Sequence, residues 1–316
     1  MSAAAQPFHL FIPHAVPALP EGTAPPDWPV PPELEALLAR MQRTDTLEVA
    51  EDSPATPFEH ALARALHLQG QPGQWPWAAA DTHTVGTPCA WLRPCHWQLG
   101  LDHVTLLDPA ALALTESESR ALLAAVQPLL AEDGIALTYH HPDAWLARGE
   151  LFRNLSTCSM ARALQRPVTR EALAQAPTNA QSAHVRRLQT ELQMLLYPHP
   201  VNEAREQQRG WPVNALWIDG AGVLTAALPP SPHVLVDHHL ADLPLNADPA
   251  QRLSAWQTIA RSALARLRQA LDAGQRVQLT LCGPRRAITL QSGLGLTAKI
   301  TSLFRPQRWS ELHKQL

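Results

Sequence analysis

The residues best placed to do chemistry lie between His199 and Trp217. His199, Asn202 and Arg205 fall at i, i+3 and i+6 around a helix start, and Asn214 and Trp217 follow on the next extended segment. An arginine offers a two-pronged fork to a carboxylate or phosphate, and a helix N-terminus adds its dipole. One reading is therefore an anion pocket. The other, which we favour, is a buried polar hinge holding helix to strand, because buried polar groups are usually satisfied within the fold. Asn202 and Arg205 share a helix face, whereas Asn214 and Trp217 point to opposite faces of a strand. Asn214 can both donate and accept, so it is expected to meet the helix face, with Trp217 beneath it as core. If the hinge is a functional centre, His199, Asn202, Arg205, Asn214 and Trp217 should line one concave site.

Other groups are weaker candidates. Asp237, His238, His239 and Asp242 have the right chemistry for a metal, yet adjacent residues of an extended chain point apart. No metal is expected there. Cys95-His96 has no third group to orient a base, so thiol catalysis is disfavoured. His96 and His103 fit satisfied strand positions. Gly220-x-Gly222 follows a strand but opens no helix, so it is not a dinucleotide fingerprint, and no cofactor is expected. Arg285 and Arg286 suit a solvated hairpin turn.

Around these residues the elements read as follows. Residues 8–12 form a strand, and 13–32, with eight prolines, an extended segment. Helices fit 33–43, through Leu34, Leu37, Leu38 and Met41, and 57–68, with Pro57 in its first turn; 70–76 is a loop. Two strands lie within 89–108. Thr115 and Glu118 have capping-box spacing ahead of a helix that Pro128 should kink and Asp133-Gly134 should end, with a strand at 135–140. The stretch 143–182 is weakly patterned. Helices return at 184–197, stopped by Pro198, and at 201–209; 213–218 is a strand and 219–222 a turn. A strand at 234–236, a long helix over 249–272, a hairpin over 277–291 and a helical end at 295–315 complete the chain. There is no internal repeat.

The bulk numbers fit this picture. The chain has 316 residues, 46% hydrophobic and 17% charged, with a net charge of −3. That is long enough to bury its own core and lacks the basic footprint of a nucleic-acid binder. Most of the 10 tryptophans are expected in the core. Cys89, Cys95, Cys158 and Cys282 show neither C-x-x-C spacing nor a secreted scaffold. With no signal-like start and no apolar run approaching ~20 residues, a cytoplasmic protein with free thiols and no membrane contact is expected.

Two strings carry a resemblance. W-L-R-P-C-H-W-Q-L-G-L-D-H-V-T-L-L-D spans 91–108, and R-R-L-Q-T-E-L-Q-M-L-L-Y-P-H-P-V-N-E-A-R-E-Q-Q-R-G-W-P-V-N-A-L-W-I-D-G-A-G spans 186–222. In this order, with a capped helix between them, they resemble the RpfE-type regulatory proteins of Proteobacteria, over roughly 85–315. The second string is also similar to archaeal-type cofactor-independent phosphoglycerate mutases, whose pattern is matched by His199, Pro200, Asn202, Arg205, Gly210, Asn214, Trp217, Gly220 and Gly222. Asp219 stands where that family has a second Trp. This resemblance implies the substrate-side module of such a mutase. The family's activity needs two divalent metals and a Ser nucleophile, and a two-metal centre needs several Asp and His ligands. The D-G-x-x-D expected near the first strand is missing, since that strand ends in Ile12-Pro13-His14, and so is the D-E-x-G-H cluster near the C-terminus.

The expectation is an α/β (α+β) protein with a mixed, largely antiparallel sheet covered by helices. Its expected divisions are a Pro-rich arm over 1–84, a mutase-substrate-domain-like core over 85–230 and a C-terminal α/β segment over 231–316. The expected function is non-catalytic regulation or ligand sensing, with a small phosphorylated or anionic metabolite as ligand. The alternatives are a phosphoglycerate-mutase-like phosphoryl-transfer enzyme and a protein-interaction scaffold whose protein partner meets the Pro-rich arm.

Overall fold

A computed structural model describes residues 6–19, 28–100, 103–165, 168–169, 180–292 and 307–316. Expectations for 20–27 and 293–306 lie outside the described residues. The fold is mixed α/β, as expected. Its contacts divide it into two units. Unit 1 combines Met1–Glu51, Thr56–His67 and Pro230–Leu316; unit 2 combines Asp52–Ala55 and Leu68–Pro229. This differs from the expected three-part division, because the first strand of the chain pairs with strands from its last third.

In unit 1 the strands are β1 (Phe8–Ile12) and β2 (Met41–Glu48) and, in unit 2, β3 (Cys89–Cys95) through β9 (Ala215–Gly222); β10 (Val234–Val236), β11 (Val277–Cys282) and β12 (Arg286–Ser292) return to unit 1. The unit 1 sheet runs β10-β1-β11-β12-β2. β1 lies parallel to both β10 and β11, and β12 pairs antiparallel with β11 and β2. Strand alternation sends Leu10, Ile12, Leu279, Leu281, Ile288 and Leu290 to one face. There they bury against Trp256, Ile259, Leu264 and Leu267 and against Leu34, Leu37 and Leu38. The opposite face carries a polar row beside the buried Phe11: His9 Nε2 lies 2.7 Å from Thr280 Oγ1, which lies 2.8 Å from Thr289 Oγ1. Burial pushes the His9 pKa down to about 4, with His233 adding to the effect.

Two expectations fail in unit 1. The helix at 33–43 stops at Leu38, and Met41 begins an edge strand, M-Q-R-T-D-T-L-E, whose polar side chains suit an edge. The long helix over 249–272 is two helices, Pro249–Arg261 and Ala263–Asp272, broken at Ser262, where φ is −106° and ψ −88°.

In unit 2, β6 (Ala136–His141), β7 (Ala144–Arg148), β3 and β9 form an antiparallel sheet in that order, beside a small sheet of β4 (Trp97–Leu99), β5 (His103–Leu106) and β8 (Val168–Thr169). Ala90, Leu92, Trp145, Leu216 and Ile218 bury against helix Glu116–Glu132 through Leu122, Val126 and Leu130, and against helix Ala180–Leu196 through Val185, Leu188, Leu192 and Leu196. The capping box at Thr115 and Glu118 has both its hydrogen bonds, and the helix continues through Pro128. Ser119, fully buried, donates to the Pro142 carbonyl (2.7 Å) and accepts from the Trp145 indole (2.9 Å). β7 was hidden by the weak patterning after 143. The expected turn at 219–222 is instead the end of β9. Gly220 takes φ +58° there, and a Cβ on it would lie 2.9 Å from Trp77 Cβ, so these glycines let helix Trp77–Asp81 lie directly on the strand.

Candidate functional site

The five hinge residues do not gather round one opening. His199 caps helix Pro200–Gln207, its Nδ1 accepting from Val201 N at 3.2 Å. Asn202, 2% exposed, donates through Nδ2 to the carbonyls of Leu196 and Val213, each at 2.8 Å, and accepts from Val213 N at 2.8 Å. Arg205 donates from Nε to the Trp211 carbonyl (2.7 Å), from Nη1 to Glu118 Oε1 (2.8 Å) and from Nη2 to the Leu112 carbonyl. These bonds tie the helix to the loop before β9 and to the start of helix Glu116–Glu132. Burial alone would raise the Glu118 pKa, but the bonds from Thr115 and Arg205 prevail and hold it below the ordinary range.

Asn214 takes a different address from the one expected. Its Oδ1 accepts from Trp97 N (2.7 Å) and its Nδ2 donates to Trp97 O (3.0 Å), so the side chain extends the strand pairing rather than facing the helix. Trp217 is fully buried, as its expected core role requires, and its indole donates to the Cys158 carbonyl at 2.8 Å. The hydrogen bonds of these hinge side chains thus go to main chain or to a neighbouring carboxylate.

Two other clusters present chemistry. The first lies at the carboxyl ends of the parallel strands of unit 1, where ligands characteristically bind in open α/β sheets. His14 follows β1 with a left-handed φ of 54°. Burial first, then the charges of Arg252 and His238, lower its pKa to about 4. Arg252, 5% exposed, donates from Nη2 to His14 O (2.7 Å) and Ala15 O (3.1 Å), and its guanidinium lies 5.3 Å from the Trp28 ring centroid. Among the described residues it has no carboxylate partner and its buried Nε has no acceptor; burial lowers its pKa to about 10. Asp237, after β10, accepts from His239 N (3.1 Å) and sits 2.8 Å from His239 Nδ1, while His238 meets Phe58 edge-on. Among the described residues, no three His, Cys, Asp or Glu side chains are grouped to hold a metal.

The second cluster lies on the face of the unit 2 sheet opposite helices Glu116–Glu132 and Ala180–Leu196. β3 and β9 place Trp91 opposite Asp219 and Arg93 opposite Trp217. Arg93 Nε donates to Asp219 Oδ2 at 3.1 Å, and Met160 N approaches the same oxygen at 3.4 Å. The Trp91 indole donates to Asp81 Oδ2 at 3.1 Å. Sequence reasoning singled out Asp237, His238 and His239 of the first cluster but not Arg252, and it missed the second cluster. The signal for the second was present: an Arg and an Asp interrupt two otherwise apolar strands, and charges at buried strand positions need each other.

All four cysteines are free thiols and buried. Burial raises the Cys89 pKa to about 11 and that of Cys95 to about 12, and it raises Cys282 as well, so these thiols stay protonated near neutral pH. No described helix is long and apolar enough to cross a membrane.

No protein-family model matches the chain, and no curated protein matches it. Among solved structures the chain is similar to the cofactor-independent phosphoglycerate mutase from Thermoplasma acidophilum DSM 1728, with 13% identity over 98% of each chain and a TM-score of 0.37. It is also similar to the PH0037 protein from Pyrococcus horikoshii, with 12% identity over 98% of this chain and 92% of that one and a TM-score of 0.46. At these values the site must be read from its own residues.

Proposed function

We propose that the protein is a non-catalytic regulatory or ligand-sensing protein that binds a small phosphorylated or anionic metabolite at the strand ends of unit 1. The observation that carries this reading is Arg252: a buried guanidinium with no carboxylate partner among the described residues, whose charge, like that of His238, reaches the His14 imidazole. A buried charge is costly unless it is paired, so an arriving anion gains what the protein has not supplied. The left-handed backbone at His14 is of the kind that persists where function retains it. The resemblance of 91–108 and 186–222 to RpfE-type regulators supports a regulatory role.

The test is a thermal-shift screen of phosphometabolites with and without Mn²⁺. A ligand at 100 times its Kd adds about 2.7 kcal/mol to stability, which is several degrees of melting temperature. His238→Gln, at an exposed position, should leave the fold intact and weaken the shift. If no anion shifts the wild type, the sensing reading fails and the scaffold reading gains. Mn²⁺-dependent turnover of a phosphoglycerate, abolished by chelation, would overturn the non-catalytic reading in favour of a mutase-like enzyme.

A further inference from the structure

We propose that the Asp81–Trp91–Arg93–Asp219 face of unit 2 is a second binding site, for a small zwitterion whose ammonium group meets Asp81 and whose anionic group meets the terminal nitrogens of Arg93. The argument begins with charge. One guanidinium faces two carboxylates here, and the charges of Arg93 and Asp219 both reach the Asp81 carboxyl. The cluster therefore carries a net negative charge, and a simple anion would be repelled as much as attracted.

The hydrogen bonds leave specific atoms over. Asp219 Oδ2 takes Arg93 Nε and Met160 N, and Asp81 Oδ2 takes the Trp91 indole. Among the described residues, no hydrogen bond engages the two terminal nitrogens of Arg93, whose side chain is 25% exposed. Those nitrogens form the end of a planar fork suited to a carboxylate or phosphate. Asp81 is exposed at the rim, yet its pKa is raised: loss of water around the carboxyl comes first, and the Asp219 charge adds to it. Its bonds to Trp91 and its attraction to Arg93 and His140 oppose this without reversing it. Among the described residues Asp81 makes no ion pair, and Arg93 has donors to spare. A ligand bearing both signs satisfies both at once.

The framework is rigid enough to hold such a ligand. Trp91, 4% exposed, forms the floor, with the Arg93 guanidinium 5.9 Å and the exposed His140 ring 5.0 Å from it. Helix Trp77–Asp81 is pressed onto β9 by the close approach at Gly220, which fixes the height of Asp81 above the strand.

The full chain should be tested by isothermal titration against the twenty α-amino acids and phosphoethanolamine. For each binder, its matched amine and matched acid lacking the other charge should be titrated too. At least one zwitterion should bind, each of its half-ligands at least about tenfold more weakly, since losing a charged hydrogen bond costs about 1.5–3 kcal/mol. Asp81→Asn preserves an acceptor for Trp91 and should lower affinity at least tenfold; Arg93→Lys keeps a charge beside Asp219 but loses the fork, and should weaken binding at a temperature where circular dichroism shows the variant still folded. Binding of no zwitterion, or affinity indifferent to Asp81→Asn, overturns the proposal. Neither result bears on the unit 1 site, whose test uses His238→Gln and phosphometabolites without an amine.

Discussion

Replacing Arg205 with Ala should destabilise the protein rather than merely silence a pocket. The guanidinium, whose side chain is 10% exposed, serves two main-chain carbonyls, of Trp211 and Leu112, and one carboxylate, Glu118. Truncation leaves both carbonyls without their donor, at about 1–2 kcal/mol for the buried Leu112 acceptor and about 1 kcal/mol for the part-buried Trp211 acceptor. Glu118, whose side chain is 25% exposed, keeps its capping bonds from Thr115, so its loss of Arg205 adds less than the two carbonyls do. The total is about 3 kcal/mol, or about 6–12 °C of melting temperature for a unit of this size. Circular dichroism melts of wild type, Arg205→Ala and Arg205→Lys would measure it, with Lys recovering only the Glu118 contact. The pH dependence adds a second check. The folded Glu118 pKa is depressed, so its contribution is present above the unfolded carboxylate pKa and is lost as pH falls through the folded value. The gap between wild type and Arg205→Ala should therefore narrow in acid. A melting temperature within about 2 °C of wild type at neutral pH would refute the clamp.

Asn202→Leu should cost about 2–4 kcal/mol in urea unfolding, because it strands two carbonyls and one N–H that the amide now satisfies. All four cysteines should be unreactive to a thiol reagent in the native protein and titrate fully after denaturation without reductant, since all four are buried and free. The depressed pKa values of His9 and His14 mean that the unfolded chain binds more protons between about pH 6.5 and 4, so stability should fall as pH drops through that window. His14→Gln should flatten that fall, measured as melting temperature against pH.

The local signals that could be read in the sequence were those set by a few neighbouring residues. Thr115 and Glu118 announced their helix because a capping box is written within four positions. The strand at Phe8–Ile12 and the hairpin of β11 and β12 were legible by alternation. What escaped depended on distant partners. β7 follows a two-residue turn in a stretch with no period, and only its pairing with β3 and β6 makes it a strand. Asp219-Gly220-Ala221-Gly222 has turn composition, yet its glycines answer a helix more than 130 residues earlier in the chain. At the hinge Asn202 and Arg205 are polar and buried, but spacing could not say that Asn214 would turn to Trp97, or that Arg205 would find Glu118.

The placement of β1 between β10 and β11 has a consequence for synthesis on the ribosome. The first strand emerges early, but its neighbours are at 234–236 and 277–282. At roughly 5–20 residues per second, Leu10 and Ile12 wait on the order of 10–50 s before the sheet that buries them can close. Unit 2, nearly continuous in sequence, can be completed in that interval. The nascent chain must therefore carry an apolar strand with no partner through most of its translation, and mutations that slow elongation between β1 and β11 should lower the yield of folded protein without altering the stability of the molecules that succeed.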